Sequence, residues 1–178
     1  MKFTRLEIPD IILIEPEIKK DVRGAFAENY RKDIFAKQGI KEDFIQDNFS
    51  ISRPGVLRGL HFQAPPRAQS KLVRVTHGKA WDVAVDIRKK SKTYGRFVAE
   101  ILSGENQKMI YIPPGFAHGF LVLAGETQFL YKVSDYYSLP HDGGVLWNDP
   151  DLGIPWPKLA REYLLSEKDR QLPRLKDL

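Results

Sequence analysis

The chain has 178 residues, with 28 lysines and arginines against 23 aspartates and glutamates, a formal charge of +5, and no cysteine. That length suits a single domain, residues 1–178, able to bury its own core, and the lack of cysteine excludes both a disulfide framework and a thiolate zinc site. The positive surplus is dispersed, with no basic block and no nucleic-acid reader motif, and no apolar run is long enough to span a bilayer.

In chain order, the opening stretch from Met1 to Asp21 scatters Glu and Asp among its apolar residues. It has no clean hydrophobic segment and no small-residue cleavage site, so a cytoplasmic protein is expected. Asp33 to Gly39 reads as a short helix with an acidic start and a glycine stop. Residues 70–75, 80–87, 96–102, 108–113, 119–123 and 129–133 read as strands, short, rich in β-branched and aromatic residues, and separated by Gly, Pro or Asn. Within 80–87, Trp81, Val83, Val85 and Ile87 share one face and Ala80, Asp82, Ala84 and Asp86 the other. His77, before Gly78, is read as a turn residue between two of these strands. Toward the C-terminus, 159–165 and 166–171 read as helical turns. The expectation is an all-β fold, a jelly-roll barrel or sandwich with a few short helices near its ends.

Four histidines are available for chemistry. His141 lies in a polar Leu-Pro-His-Asp-Gly-Gly run and reads as a loop residue. His61 and His118 sit at strand edges beside glycines, where a ligand or a second backbone can approach closely. His118 falls in Pro-Pro-Gly-Phe-Ala-His-Gly-Phe, whose P-x-G-x-x-H pattern resembles the second motif of the cupin superfamily of small β-barrels. Metal-binding cupins add an H-x-H pair and a carboxylate, but here the matching neighbourhood reads His61-Phe62-Gln63 and supplies one histidine. A metal wants three or four converging ligands, so no metal is expected. His118 is read equally as a buried, hydrogen-bonded imidazole and as a ligand contact.

His61 is a candidate general base, because the unperturbed imidazole titrates near neutrality. Arg58 suits a phosphate, but strict alternation puts it on the face opposite His61 unless Gly59 introduces a bulge. Lys71 shares a strand face with Val73 and Val75, placing it either snorkelling to solvent or lining a pocket as an oxyanion stabiliser. Tyr131 alternates with Phe129 and Val133, as a core tyrosine or a general acid. Asp169 stands three residues after Ser166, a spacing that a helix cap explains by itself.

Taken in order, Gln46-Asp47-Asn48, Arg58-Gly-Leu-His61-Phe-Gln63, Lys71-Leu-Val-Arg74, Asp82-Val-Ala-Val-Asp86, Ser91-x-Thr-Tyr-Gly95, Pro113 to Phe120, Tyr131-Lys132 and Trp147-Asn-Asp-Pro150 resemble the dTDP-4-dehydrorhamnose 3,5-epimerase family across essentially the whole chain. The resemblance implies a cupin-like jelly roll, a homodimer, no cofactor, and dTDP-4-dehydro-6-deoxy-D-glucose as substrate. It also implies His61 as the base, Asp169 as its partner, Lys71 as stabiliser of the enolate and Tyr131 as the acid. By the same token Arg23, Phe26, Glu28, Gln46, Asp47, Asn48, Arg58, Lys71, His118, Tyr137, Asp142 and Lys168 would contact substrate, those of the 23–28 segment in the partner's site. One departure is Asp142, one methylene shorter than the Glu common in the family. The competing expectations are a monofunctional 3- or 5-epimerase and a non-catalytic cupin sugar-binding module.

Overall fold

The computed structural model describes residues 1–178. It contains strands β1 (Lys2–Arg5), β2 (Ile12–Glu15), β3 (Ile18–Asp21), β4 (Gly24–Ala27), β5 (Gln46–Ser52), β6 (Leu57–Gln63), β7 (Lys71–Asp86), β8 (Phe97–Ser103), β9 (Met109–Ile112), β10 (Phe116–Val133) and β11 (Asp142–Gly144). Helices are confined to α1 (Lys32–Lys37), α2 (Glu167–Arg170) and two 3-10 turns, and none is long and apolar enough to cross a membrane.

The frame is set by β7 and β10, which pair with each other along most of their lengths and bend together. Their first and last halves, Lys71–Arg74 and Thr127–Val133, carry β9 and β5 on either side, with β2 and β1 beyond β9. Their other halves carry β8 and β6, with β11 beyond β6. One hydrogen-bonded sheet thus folds into two facing layers, a jelly roll. At the bend Gly78 has φ +78°, and a Cβ there would stand 2.3 Å from the Thr127 hydroxyl. Only glycine fits that corner.

Two of the expected strand pairs are therefore single long strands. The sequence around His77-Gly78 reads as a turn, yet it is a bend inside β7, and His77 is paired with Gln128 across the ladder. Residues 119–123 and 129–133 belong to one strand for the same reason. The helical turn expected over 159–165 is absent. Leu164 instead bridges Val56 in parallel, and the Leu57 N–H donates to the Leu164 carbonyl. The helix beginning at Lys32 matches expectation, with Gly39 beyond its end at φ +93°.

Most of β7 is covered on both of its faces, while the outward face of β5 stays exposed. Between the layers lie Val73, Val75, Ala80, Ala84, Ile110, Phe120 and Phe129, the last two stacked at 3.8 Å. Outside one layer α1 buries Phe35 against Ile12, Ile14, Leu72 and Met109. Outside the other, the C-terminal segment packs Val145, Leu152, Trp156 and Leu175 onto Leu57, Leu60, Val83, Val85 and Leu121. This last covering brings α2 to the open end of the barrel. The β3–β4 hairpin stands apart as its own two-stranded sheet, with Val22 and Phe26 exposed.

Candidate active site

A cavity of about 580 Å³ opens between the layers. Inward-facing residues of β5, β6, β10 and the start of β7 line it, and α2 closes one wall. The register of β6 against β10 decides what reaches it. His61 pairs with His118 but Arg58 pairs with Phe120, so β6 spends three residues where β10 spends two. The extra residue is a bulge at Gly59, whose φ is +126° and whose Cβ would lie 2.6 Å from the Cα of Gly119. Two glycines back to back let the strands touch there, and the bulge turns Arg58 to the same side as His61. Both line the cavity.

His61 is one-third exposed and reaches Asp169, which is 5% exposed. Its Nε2 stands 2.6 Å from Asp169 Oδ1. Burial raises the Asp169 carboxyl, but the imidazole of His61, the Ser166 hydroxyl and the Gly59 N–H together hold it below its ordinary value. Asp169 therefore stays a carboxylate. Its backbone N–H donates to Ser166 Oγ at 3.1 Å, the N-cap of α2, so capping and pairing with His61 coexist in one residue. With Nε2–H donated to Asp169, Nδ1 of the imidazole is the nitrogen left to take a proton.

Lys71 enters from the opposite layer. Its Nζ donates to the His61 carbonyl at 3.2 Å, and burial lowers its pKa from 10.5 to about 8, against the pull of Asp82 and Asp142. Tyr131, also from that layer, is raised by burial and by Asp142, with Arg58 opposing, and stays protonated through the neutral range. His118 is buried, with Nε2 2.8 Å from Asp82 Oδ2, and burial holds it below its ordinary value. At the rim, Asp142 Oδ2 accepts from the Tyr137 hydroxyl at 2.9 Å and from Lys168 Nζ at 2.5 Å. That carboxylate ties β11 and the loop before it to α2.

Of the residues expected at a site, His61, Lys71, Tyr131, Asp169, Gln46, Asn48, Arg58, His118, Tyr137, Asp142 and Lys168 line this one cavity. Asp47 points outward and pairs with Lys132, since alternation along β5 sends Gln46, Asn48 and Ser50 in and Asp47 out. Arg23, Phe26 and Glu28 do not line it. Arg23 and Phe26 lie at the exposed hairpin, with Arg23 paired to Asp21, and Glu28 just follows it, near Arg31. Asp82 and Gln63 were missed by sequence reasoning. Gln63 follows His61 by two on the same face and lines the cavity, where its Oε1 accepts from the Ser138 N–H. Asp82 was legible as a carboxylate on the Ala80–Ala84 face, but not as the partner of His118. Nowhere do three His, Cys, Asp or Glu side chains converge, and each cavity histidine is engaged by a carboxylate of its own.

A cupin-like jelly roll that sets a His–Asp pair and an ammonium beside a protonated phenol is built for proton transfer at carbon. Comparison with known proteins narrows the class. The family model described as dTDP-4-dehydrorhamnose 3,5-epimerase matches residues 5–177. The enzyme of that name from Pseudomonas aeruginosa is 52% identical over 96% of this chain and 94% of its own. The crystal structure of the Legionella pneumophila 3,5-epimerase, in complex with dTDP-4-keto-L-rhamnose, superposes with a TM-score of 0.95 at 44% identity, covering 98% of this chain and 93% of that one. A 3'-monoepimerase from Streptomyces bikiniensis, in complex with dTDP-quinovose, superposes at 0.90 with 34% identity over 96% and 86%. The chain belongs to the dTDP-4-dehydrorhamnose 3,5-epimerase family.

Proposed function

We propose that the chain inverts C3 and C5 of dTDP-4-dehydro-6-deoxy-D-glucose, giving dTDP-4-dehydro-L-rhamnose, with His61 as base and Tyr131 as acid. The C4 ketone makes the protons on both neighbouring carbons acidic, so each inversion is a proton removed from one face of the ring and another returned to the other. His61 takes the proton on Nδ1, and Asp169 stabilises the resulting imidazolium. The planar enolate carries its charge on the C4 oxygen, where the Lys71 ammonium supplies a fixed positive charge. Tyr131 then delivers its phenolic proton from the opposite side. The observation that carries this reading is the pair of facing layers, with His61–Asp169 in one and Lys71 and Tyr131 in the other.

Binding follows from charge. Arg58 suits the pyrophosphate in bidentate fashion, and Tyr137, held by Asp142, offers an aromatic face to the nucleotide. Arg23, Phe26 and Glu28 complete the partner's site in a cytoplasmic homodimer. Two features support the dimer. The hairpin exposes Val22 and Phe26, and the outward face of β5 exposes Phe49 and Ile51. Such an apolar surface fits an isologous contact.

The test is product stereochemistry. Incubation with dTDP-4-dehydro-6-deoxy-D-glucose is expected to yield the L-rhamno ketone, read from ring-proton couplings by NMR. A product inverted at C3 alone would move the chain to the monofunctional reading, which the fold shared with a 3'-monoepimerase keeps open. Recovery of unchanged substrate would refute the proposal.

A further inference from the structure

Asp82 belongs to no role described so far, yet it is fully buried beneath the cavity. It sits on β7 between Ala80 and Ala84, facing inward, and opposite it on β8 stands Glu100, which offers no compensation. One oxygen meets His118 at 2.8 Å, and the other, Oδ1, is buried with no hydrogen-bond partner. A buried carboxylate with a bare oxygen is costly unless a cation answers it. His118 is adjacent to His61 in the ladder, and Lys71 Nζ is bonded to the His61 carbonyl, so Asp82, His118, His61 and Lys71 form one contiguous group.

We propose that Asp82 is a positioning residue that keeps Lys71 an ammonium and holds the His118 proton on Nε2. The charged and titratable groups around Lys71 are Asp82 on its own strand, His61 on β6, His118 on β10 and Asp142 on β11, with the neutral Tyr131 lining the same cavity. Of the two carboxylates Asp82 has the larger effect on Lys71, and it is the buried one, out of reach of solvent screening. Burial works the other way, toward loss of the proton that enolate stabilisation needs. For His118 the consequence is a fixed tautomer. An acceptor-only carboxylate at Nε2 demands the Nε2–H form, which leaves Nδ1 as a hydrogen-bond acceptor for a sugar hydroxyl. The inference rests on the proposed roles of Lys71 and His118 in the sugar site.

The experiment is 15N NMR of protein labelled at lysine and histidine, with Lys71 and His118 assigned from the Lys71→Met and His118→Gln spectra. Unmodified protein is expected to show Lys71 titrating near pH 8 and His118 as the neutral Nε2–H tautomer at pH 7. In Asp82→Asn the Lys71 midpoint should fall by about one pH unit or more, the span expected when an opposing charge is lost. The new amide can donate as well as accept, so Nε2–H is no longer demanded and the Nδ1–H tautomer of His118 should gain population. The alkaline limb of kcat should shift down with Lys71, which a merely structural loss would not produce. An unshifted Lys71 midpoint in folded Asp82→Asn would overturn the proposal. If that variant does not fold, an Nδ1–H tautomer of His118 in the unmodified protein overturns it alone, and an Nε2–H tautomer upholds it. Failure of the epimerase assignment shows separately, as unmodified protein that titrates as described but leaves the sugar nucleotide unchanged.

Discussion

Asp169 does two jobs that pull on different atoms. Its backbone N–H completes the cap of α2, while its carboxylate holds His61. Asp169→Asn keeps the first and alters the second, because an amide at Oδ1 no longer demands the Nε2–H tautomer. The expected result is a fall in kcat of roughly 10²- to 10⁴-fold, measured by steady-state turnover, with little change in Tm. A comparable loss of Tm would return Asp169 to a purely structural role. Lys71 makes the opposite kind of trade. Its pKa drops from 10.5 in an exposed setting to about 8 in the fold, so below pH 8 the folded state bears the full cost of holding a charge there. Between those values the unfolded chain binds more protons than the native one, and stability contributed at this site rises with pH. Lys71→Met is accordingly expected to be more stable at pH 7 by roughly 2 kcal/mol after allowing for solvent in the cavity, seen as a higher Tm, while losing activity. The thermal advantage should vanish above pH 10.5.

At the scale of elements, the site depends on one bulge and one cap. A Cβ at residue 119 would meet the Arg58 carbonyl at 2.6 Å and Leu60 at 3.0 Å, so Gly119→Ala must push β6 away from β10. The expectation is destabilisation of roughly 2–3 kcal/mol in urea unfolding, with loss of activity greater than the loss of fold. Ser166→Ala, which removes the α2 cap, should cost about 1 kcal/mol and loosen Asp169 as well. These features also mark how far the sequence could be read. Strand positions and inward faces were visible from period-two alternation, and the bulge at Gly59 was visible as a condition, since Arg58 and His61 could not otherwise share a side. Which elements join end to end was not visible. His77-Gly78 has the composition of a turn, and only the cramped space beside Thr127, too small for a Cβ, shows why glycine stands at a bend where the ladder shifts register and then continues. Likewise 159–165 has helix-forming residues, but the edge of Val56 and Leu57 captures it as extended chain. The partnership of Asp82 with His118 spans 36 positions and depends on β7–β10 register, which local pattern does not encode.

For the whole molecule, the hairpin bearing Arg23 and Phe26 lies outside its own cavity, and a dimer that exchanges hairpins makes a sharp prediction. Arg23→Ala and His61→Ala subunits, each inactive by itself, should recover activity when mixed and allowed to exchange. One site of each mixed dimer then has both an intact His61 and an intact hairpin from the neighbour, for about a quarter of unmodified activity at equal amounts. No recovery after verified exchange would mean that the hairpin serves its own subunit or none. The proposed mechanism is tested most directly by where protons leave and return. In D2O, with dTDP-4-dehydro-6-deoxy-D-glucose and NMR observation of the sugar carbons, it predicts deuterium at both C3 and C5, and at neither in His61→Ala. Exchange at a single carbon, or exchange that survives loss of His61, would contradict it.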